Sequence, residues 1–139
     1  MKTREIAVQI TRIMPVVARE ILLEFFQNND IPQTQLFAIM FLEEQDGCRL
    51  STISHELNVA APTVTGIIDR LEQARYVVRK VDPDDRRAVN IFITQKGRKI
   101  VRQFRDVSER RWQEILNKLN VKEQAEYLRL LLKIRSHLS

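Results

Sequence analysis

Cysteine is nearly missing from this 139-residue chain: Cys48 stands alone, so no disulfide can close within one copy. The opening segment MKTREIAVQITR carries charges throughout and no apolar run of signal length. Together these predict a reducing, cytoplasmic setting. Glycine (3) and proline (4) are scarce, which argues against disordered or collagen-like order. Aromatics make up only 6%, which argues against an all-β barrel. IMPVV and FAIMFL are the notable apolar runs, far short of the roughly 18 residues that suggest a membrane span. One cysteine and two histidines offer no metal-ligand cluster. Also missing are a Gly-rich phosphate loop, a nucleophile elbow and the His-Glu-x-x-His zinc motif. No enzyme, cofactor, metal or membrane partner is expected.

What is present is ordinary in amount and uneven in placement. A hydrophobic fraction of 44% and a charged fraction of 29% fit one globular domain. The net charge is +5. From Arg70 to Arg111 there are 13 basic and 6 acidic residues, a net of +7. The remainder holds 10 basic and 12 acidic residues. A regional basic stripe is the electrostatic footprint of a polyanionic partner.

Periodicity supplies the elements. Ile6, Ile10, Ile13, Val17, Ile21 and Phe25 recur at spacings of three and four, predicting a helix from residue 5 to about 28. Pro15 lies inside it and either kinks or breaks it. A second helix is expected from Gln33 to Glu44, stopped by Gly47. Ser51 is positioned to cap a short helix, STISHELN. Ala61-Pro62 opens another, PTVTGIIDRLEQ, with Val64, Ile67, Ile68 and Leu71 as its apolar stripe. The period then changes to two, in YVVRKV and AVNIFI. Asp-Pro-Asp-Asp between them favours a type I turn, hence a hairpin. Thr94 caps a long helix running to Leu119. Asn120 with Glu123 forms a capping box for a last helix ending near His137. YLRLLLKI in that helix is apolar around most of its circumference. A chain this small has trouble covering both that helix and the first one, unless the two simply cover one core. Ile6, Ile10, Ile13, Val17, Leu128, Leu131, Leu132 and Leu138 are therefore expected in a symmetric dimer interface.

Helix, short turn, helix and hairpin all fall inside about 45 residues of the basic region, the spacing of a helix-turn-helix with a wing. Thr63 and Thr65 offer slim hydroxyls and methyls to base edges. Arg70 lies two turns on, within reach of phosphate, as do Arg79 and Lys80 on the hairpin stem. Arg86 and Arg87 at the tip suit a minor groove, where narrow segments concentrate negative potential. By contrast, Trp112 reads as packing, and Cys48 as a small packing or surface residue rather than a redox sensor.

LSTISHEL, PTVTGIIDRLE, DPDDRRAV and IFITQKGR together resemble the winged helix of the MarR family of transcriptional regulators. The resemblance implies a homodimer whose chain ends interlock, two winged helices on a pseudo-palindromic operator in double-stranded DNA, and repression relieved by a small-molecule effector. It also implies that Asp85 braces Arg87 for the minor groove. The DNA-binding residues expected on these grounds are Ser51, Pro62, Thr63, Thr65, Gly66, Arg70, Lys80, Asp85, Arg86 and Arg87. Effector-binding residues are not identifiable. Gly66 departs from the family, which often carries a larger residue there. Arg75 departs too, standing at a helix-ending position usually held by glycine.

The expectation is a mainly α fold with a small β-hairpin. One domain spans 1–139, with a winged helix-turn-helix core at 33–94. Within it the helix-turn-helix lies at about 51–74 and the wing at about 76–94. Segments 1–30 and 95–139 are dimerisation helices. The competing expectation is a winged-helix protein-interaction module without specific DNA binding.

Overall fold

The computed structural model describes residues 1–138. Six helices and three strands follow in chain order: α1 (Thr3–Asn28), α2 (Gln33–Glu44), β1 (Cys48–Arg49), α3 (Leu50–Leu57), α4 (Ala61–Gln73), β2 (Val77–Val81), β3 (Val89–Ile93), α5 (Gln95–Leu116) and α6 (Val121–Ser136). The strands form one antiparallel sheet in the order β1-β3-β2.

The core belongs to the middle of the chain. Phe25, Leu36, Ile39, Leu42, Ile53, Ile68, Leu71 and Ile91 are fully buried. The buried hydrophobic residues run from Ile21 to Val101, with none earlier or later among the described residues. Phe25 anchors the end of α1, meeting Phe26 and Phe104 edge-on at centroid distances of 5.1 and 5.2 Å. Inside the expected dimerisation segment 95–139, α5 starts in this same core, since Gly97, Ile100 and Val101 are buried. The rest is bare. Ile6, Ile10, Ile13, Leu128, Leu131, Leu132 and Leu138 are exposed, Val17 is half-buried, and α6 buries no residue at all.

Several local readings need correction. Pro15 lies within α1 without ending it. Ser51 is not a cap: α3 begins at Leu50, with Arg49 in the capping position and no side-chain bond there. β1 was not foreseen; two residues are too short to show a period. Its register pairs Cys48 with Ile91 and Arg49 with Asn90. The long helix ends at Leu116 rather than Leu119.

Other local chemistry acts as expected. Thr94 Oγ1 accepts from the Gly97 amide at 3.1 Å. The capping box closes both ways, Glu123 N to Asn120 Oδ1 at 2.9 Å and Asn120 N to Glu123 Oε1 at 3.0 Å. Gly47 adopts φ +80° just beyond α2.

Arg75 adopts φ +67° after α4. The Tyr76 amide then donates to Leu71 O at 2.9 Å, closing the helix end. A left-handed non-glycine residue costs about 1 kcal/mol. Arg75→Gly is therefore expected to raise stability by a few tenths to about 1 kcal/mol, the extra chain freedom of glycine offsetting part of the relief. Urea unfolding measures it; a loss of stability would show that the Arg75 side chain contributes more than its strain costs.

Candidate nucleic-acid interface

α3 and α4 are joined by a turn that Asn58 makes possible at φ 52°. The Ser54 hydroxyl donates to Val59 O at 2.5 Å, and the Val59 amide returns a bond to Ser54 O at 3.1 Å. Ile53, Val64 and Ile68 lock the pair underneath. That burial leaves Pro62, Thr63, Thr65 and Arg70 exposed on α4, with Gly66 half-exposed among them. Ser51 is exposed on α3. The Thr65 hydroxyl donates to Ala61 O at 3.0 Å, so its methyl and oxygen lone pairs remain for a ligand.

The wing is tied to α4 by one arginine. Arg79 Nη2 lies 2.5 Å from Asp69 Oδ1, and its Nη1 lies 2.7 Å from Glu72 Oε1. The Arg79 amide also donates to Glu72 Oε2 at 3.3 Å. Burial works against its charge, yet the Asp69 and Glu72 bonds raise its pKa above the ordinary arginine value. The expectation that Arg79 meets phosphate is thus corrected. It holds helix and hairpin as one body, because two acids lie within bonding distance. Lys80 is exposed, its Nζ 5.2 Å from the centre of the Phe92 ring.

The tip folds differently from the sequence reading. Asp-Pro-Asp-Asp does not form the hydrogen-bonded turn. Asp82 Oδ1 instead accepts from the Asp84 amide at 2.8 Å, a side chain replacing the backbone carbonyl. The backbone turn comes later, where the Ala88 amide donates to Asp85 O at 3.0 Å, which places Arg86 and Arg87 at its centre. Asp85 does meet Arg87, but through the backbone: the Arg87 amide donates to Asp85 Oδ1 at 3.0 Å. Arg86 and Arg87 are exposed and have no ion-pair partner among the described residues.

Asp82 is the hub of this loop, a role composition did not reveal. Besides the Asp84 amide it receives Asn90 Nδ2 at 3.1 Å and pairs with Arg49 at 3.7 Å. The Asp84 bond first, then the Asn90 bond, hold its carboxyl below the usual range. That contribution is present above the ordinary aspartate pKa and lost only as pH falls through the depressed one. The wing loop is therefore fully braced at neutral pH. Arg49 was missed because Asp82 becomes its neighbour only once β1 pairs with β3, and Asn90 because it meets Asp82 only across the closed β2–β3 hairpin.

The basic stripe sorts into two groups. Arg98 pairs with Asp46 at 2.8 Å, Arg105 with Glu43, Arg110 with Glu24, and Arg111 with Glu20 at 2.9 Å. With Arg79, these are structural partners of acids mostly distant in sequence. Arg70, Lys80, Arg86 and Arg87 carry no such pair among the described residues, and neither do Arg75, Lys96, Lys99 and Arg102. The uncompensated charge of the stripe therefore includes the one exposed arginine of α4 and the wing.

Elsewhere the chemistry is quiet. Burial first of all raises the Cys48 thiol pKa, which disfavours the reactive thiolate. No His/Cys/Asp/Glu group among the described residues could hold a metal. No helix among the described residues is long and apolar enough to cross a membrane. A cavity of about 290 Å³ opens between α1, α2 and α5, lined by Met14, Val17, Phe37, Phe104, Ser108 and Trp112 among others.

Comparison with known proteins gives the same architecture. A family model described as "MarR family" matches residues 31–89. An uncharacterised helix-turn-helix-type transcriptional regulator, YfiV of Bacillus subtilis, is 28% identical over 99 residues, covering 70% of this chain and 62% of that protein. The chain thus spans about three fifths of that relative's length. Among solved structures, a MarR family protein from Bacillus stearothermophilus superposes with a TM-score of 0.84 at 23% identity, covering 98% of this chain and 96% of that one. The S. aureus MepR–DNA complex superposes with a TM-score of 0.67 at 28% identity, covering 94% and 96%.

Proposed function

Because a MarR family model matches residues 31–89, we propose that the chain acts as a homodimeric, sequence-specific DNA-binding transcriptional regulator of that family, with repression relieved by a small effector. One observation carries the DNA reading: Arg70 of α4 and Lys80, Arg86 and Arg87 of the wing are exposed and unpaired, while five neighbouring arginines are held by acids. MepR, with the same fold, is seen on DNA. α4 enters a major groove through Pro62, Thr63, Thr65 and Gly66. Arg87 enters the adjoining minor groove, Arg86 and Lys80 meet phosphate, and Ser51 faces the backbone. The exposed apolar faces of α1 and α6 supply the dimer seam, so the regulator is a double-stranded DNA reader built from two copies. Two such helices on one DNA face require half-sites about one duplex turn apart.

The cavity between α1, α2 and α5 supports the effector reading. Its lining is almost wholly apolar, and its one hydroxyl, Ser108, already donates to Phe104 O at 2.8 Å. It suits an uncharged, apolar ligand.

Gel shifts of the purified protein on its own promoter and on random DNA test the function. At physiological salt the promoter should bind at least about tenfold more tightly. Equal binding would favour the protein-interaction module. Arg87→Ala should cost about 1–3 kcal/mol of operator binding and leave thermal unfolding unchanged. Undiminished affinity would return the tip to being a solvated turn.

A further inference from the structure

The exposed face of α4 has a gap in it. Gly66 sits one turn after Pro62 and Thr63 and one turn before Arg70. A Cβ placed at Gly66 would have a single neighbour within 4 Å outside its own helical backbone, Nη1 of Arg70 at 4.0 Å. The Arg70 guanidinium therefore lies back along the helix, over Gly66, toward the N-terminal end. Helical side chains lean that way by geometry, and the missing side chain gives this one somewhere to lie.

Charge supports the placement. Asp69 stands three residues after Gly66, on the same side of the helix, and is the acid best placed to neutralise a guanidinium there. It is drawn off by Arg79 at 2.5 Å. Arg70 is left exposed and without an ion pair among the described residues.

We propose that Arg70, lodged over Gly66, reads a guanine in the major groove and is not a phosphate contact at the groove's edge. The proposal rests on the reading of α4 as a recognition helix. Recognition helices meet base edges with their N-terminal residues, and the gap carries the guanidinium one turn toward that end. Its planar fork matches the O6 and N7 acceptors of guanine, which a lysine ammonium cannot span in the same way. Gly66 thus has two effects: it makes room for the fork, and it lets the base pair approach.

The experiment first selects bound duplexes from a random pool with the wild-type protein. Affinities of wild type, Arg70→Ala, Arg70→Lys and Gly66→Leu are then measured on the selected duplex and on its single-base-pair variants, across a salt series. Arg70→Ala is expected to weaken binding to the selected duplex by about 10- to 100-fold and to erase the preference at one G·C pair in each half-site. Arg70→Lys should lose the same preference while keeping the salt slope. Gly66→Leu should lose it with Arg70 still present, by filling the gap. If Arg70→Ala instead weakens all sequences evenly and flattens the salt slope by about one unit per protomer, Arg70 is a phosphate contact and the proposal fails. It fails equally if Arg70→Lys retains the guanine preference. If the wild-type protein selects no sequence, the recognition-helix reading itself falls.

Discussion

Gly97→Ala is expected to lower the unfolding free energy by about 2 kcal/mol. A Cβ at that position would lie 2.4 Å from Tyr76 O and 2.7 Å from Ile93 Cγ1. The first of these is backbone and cannot swing aside. Tyr76 O also accepts the Thr94 amide and the Thr94 hydroxyl, each at 3.0 Å. Moving it loosens the base of the wing together with the cap of α5. Alanine is the better helix former by up to about 1 kcal/mol, so a surface Gly→Ala change would stabilise. Overpacking of a filled core costs about 1–3 kcal/mol, occasionally more, and here the contact lies far inside van der Waals range. The overpacking term wins. Urea unfolding should show a lower midpoint with an unchanged slope; a midpoint at or above wild type would mean that α5 and β2 are not this close.

Leu128→Glu should abolish dimers at micromolar concentration and operator binding with them. Leu128 is 57% exposed in one copy, beside Leu131 and Tyr127 on the wall of a groove between α5 and α6. A second copy would cover that groove. An unpaired carboxylate buried there costs several kcal/mol on each side of the two-fold axis. A monomer carries one recognition helix and forfeits the second half-site, whose binding is intramolecular in the dimer. The core from Ile21 to Val101 is untouched, so its unfolding should stay cooperative. Sedimentation equilibrium and gel shifts together decide the matter: a variant that stays dimeric places the seam on another face.

Much of this architecture is readable from the chain. Pro32 and Gly47 bounded α2, and Asn120 with Glu123 announced α6, because caps and stops are local signals. Gly66 and Arg75 stood out as departures, and Arg75 does adopt the left-handed backbone its position required. What escaped was tertiary. The arginines of α5 were counted into the regional basic stripe, since Glu20, Glu24, Glu43 and Asp46 lie far away in sequence and become partners only after α1 and α2 pack. Arg79 looked like a phosphate contact for the same reason, although Asp69 and Glu72, three apart on the preceding helix, were the available clue. The true turn of the wing was hidden by Asp82, whose side chain preempts the hydrogen bond that Asp-Pro-Asp-Asp would otherwise form. β1 left no trace because two residues have no period.

In the proposed dimer, the length of α1 would give the seam a mechanical advantage over the DNA-facing lobe. Phe25 is gripped by Phe26 and Phe104, while Ile6, at the far end of the same unbroken helix, lies on the apolar face offered to a second copy. At 1.5 Å per residue the arm between them is roughly 30 Å long. Pivoting it by about five degrees at Phe25 sweeps Ile6 through roughly 2.5 Å, a large step for interlocked side chains. The same pivot, taken from the seam as the fixed end, swings the whole reading head. In the proposed dimer, a wedge of a few atoms beside Phe104 would therefore change the span between two heads without altering either one.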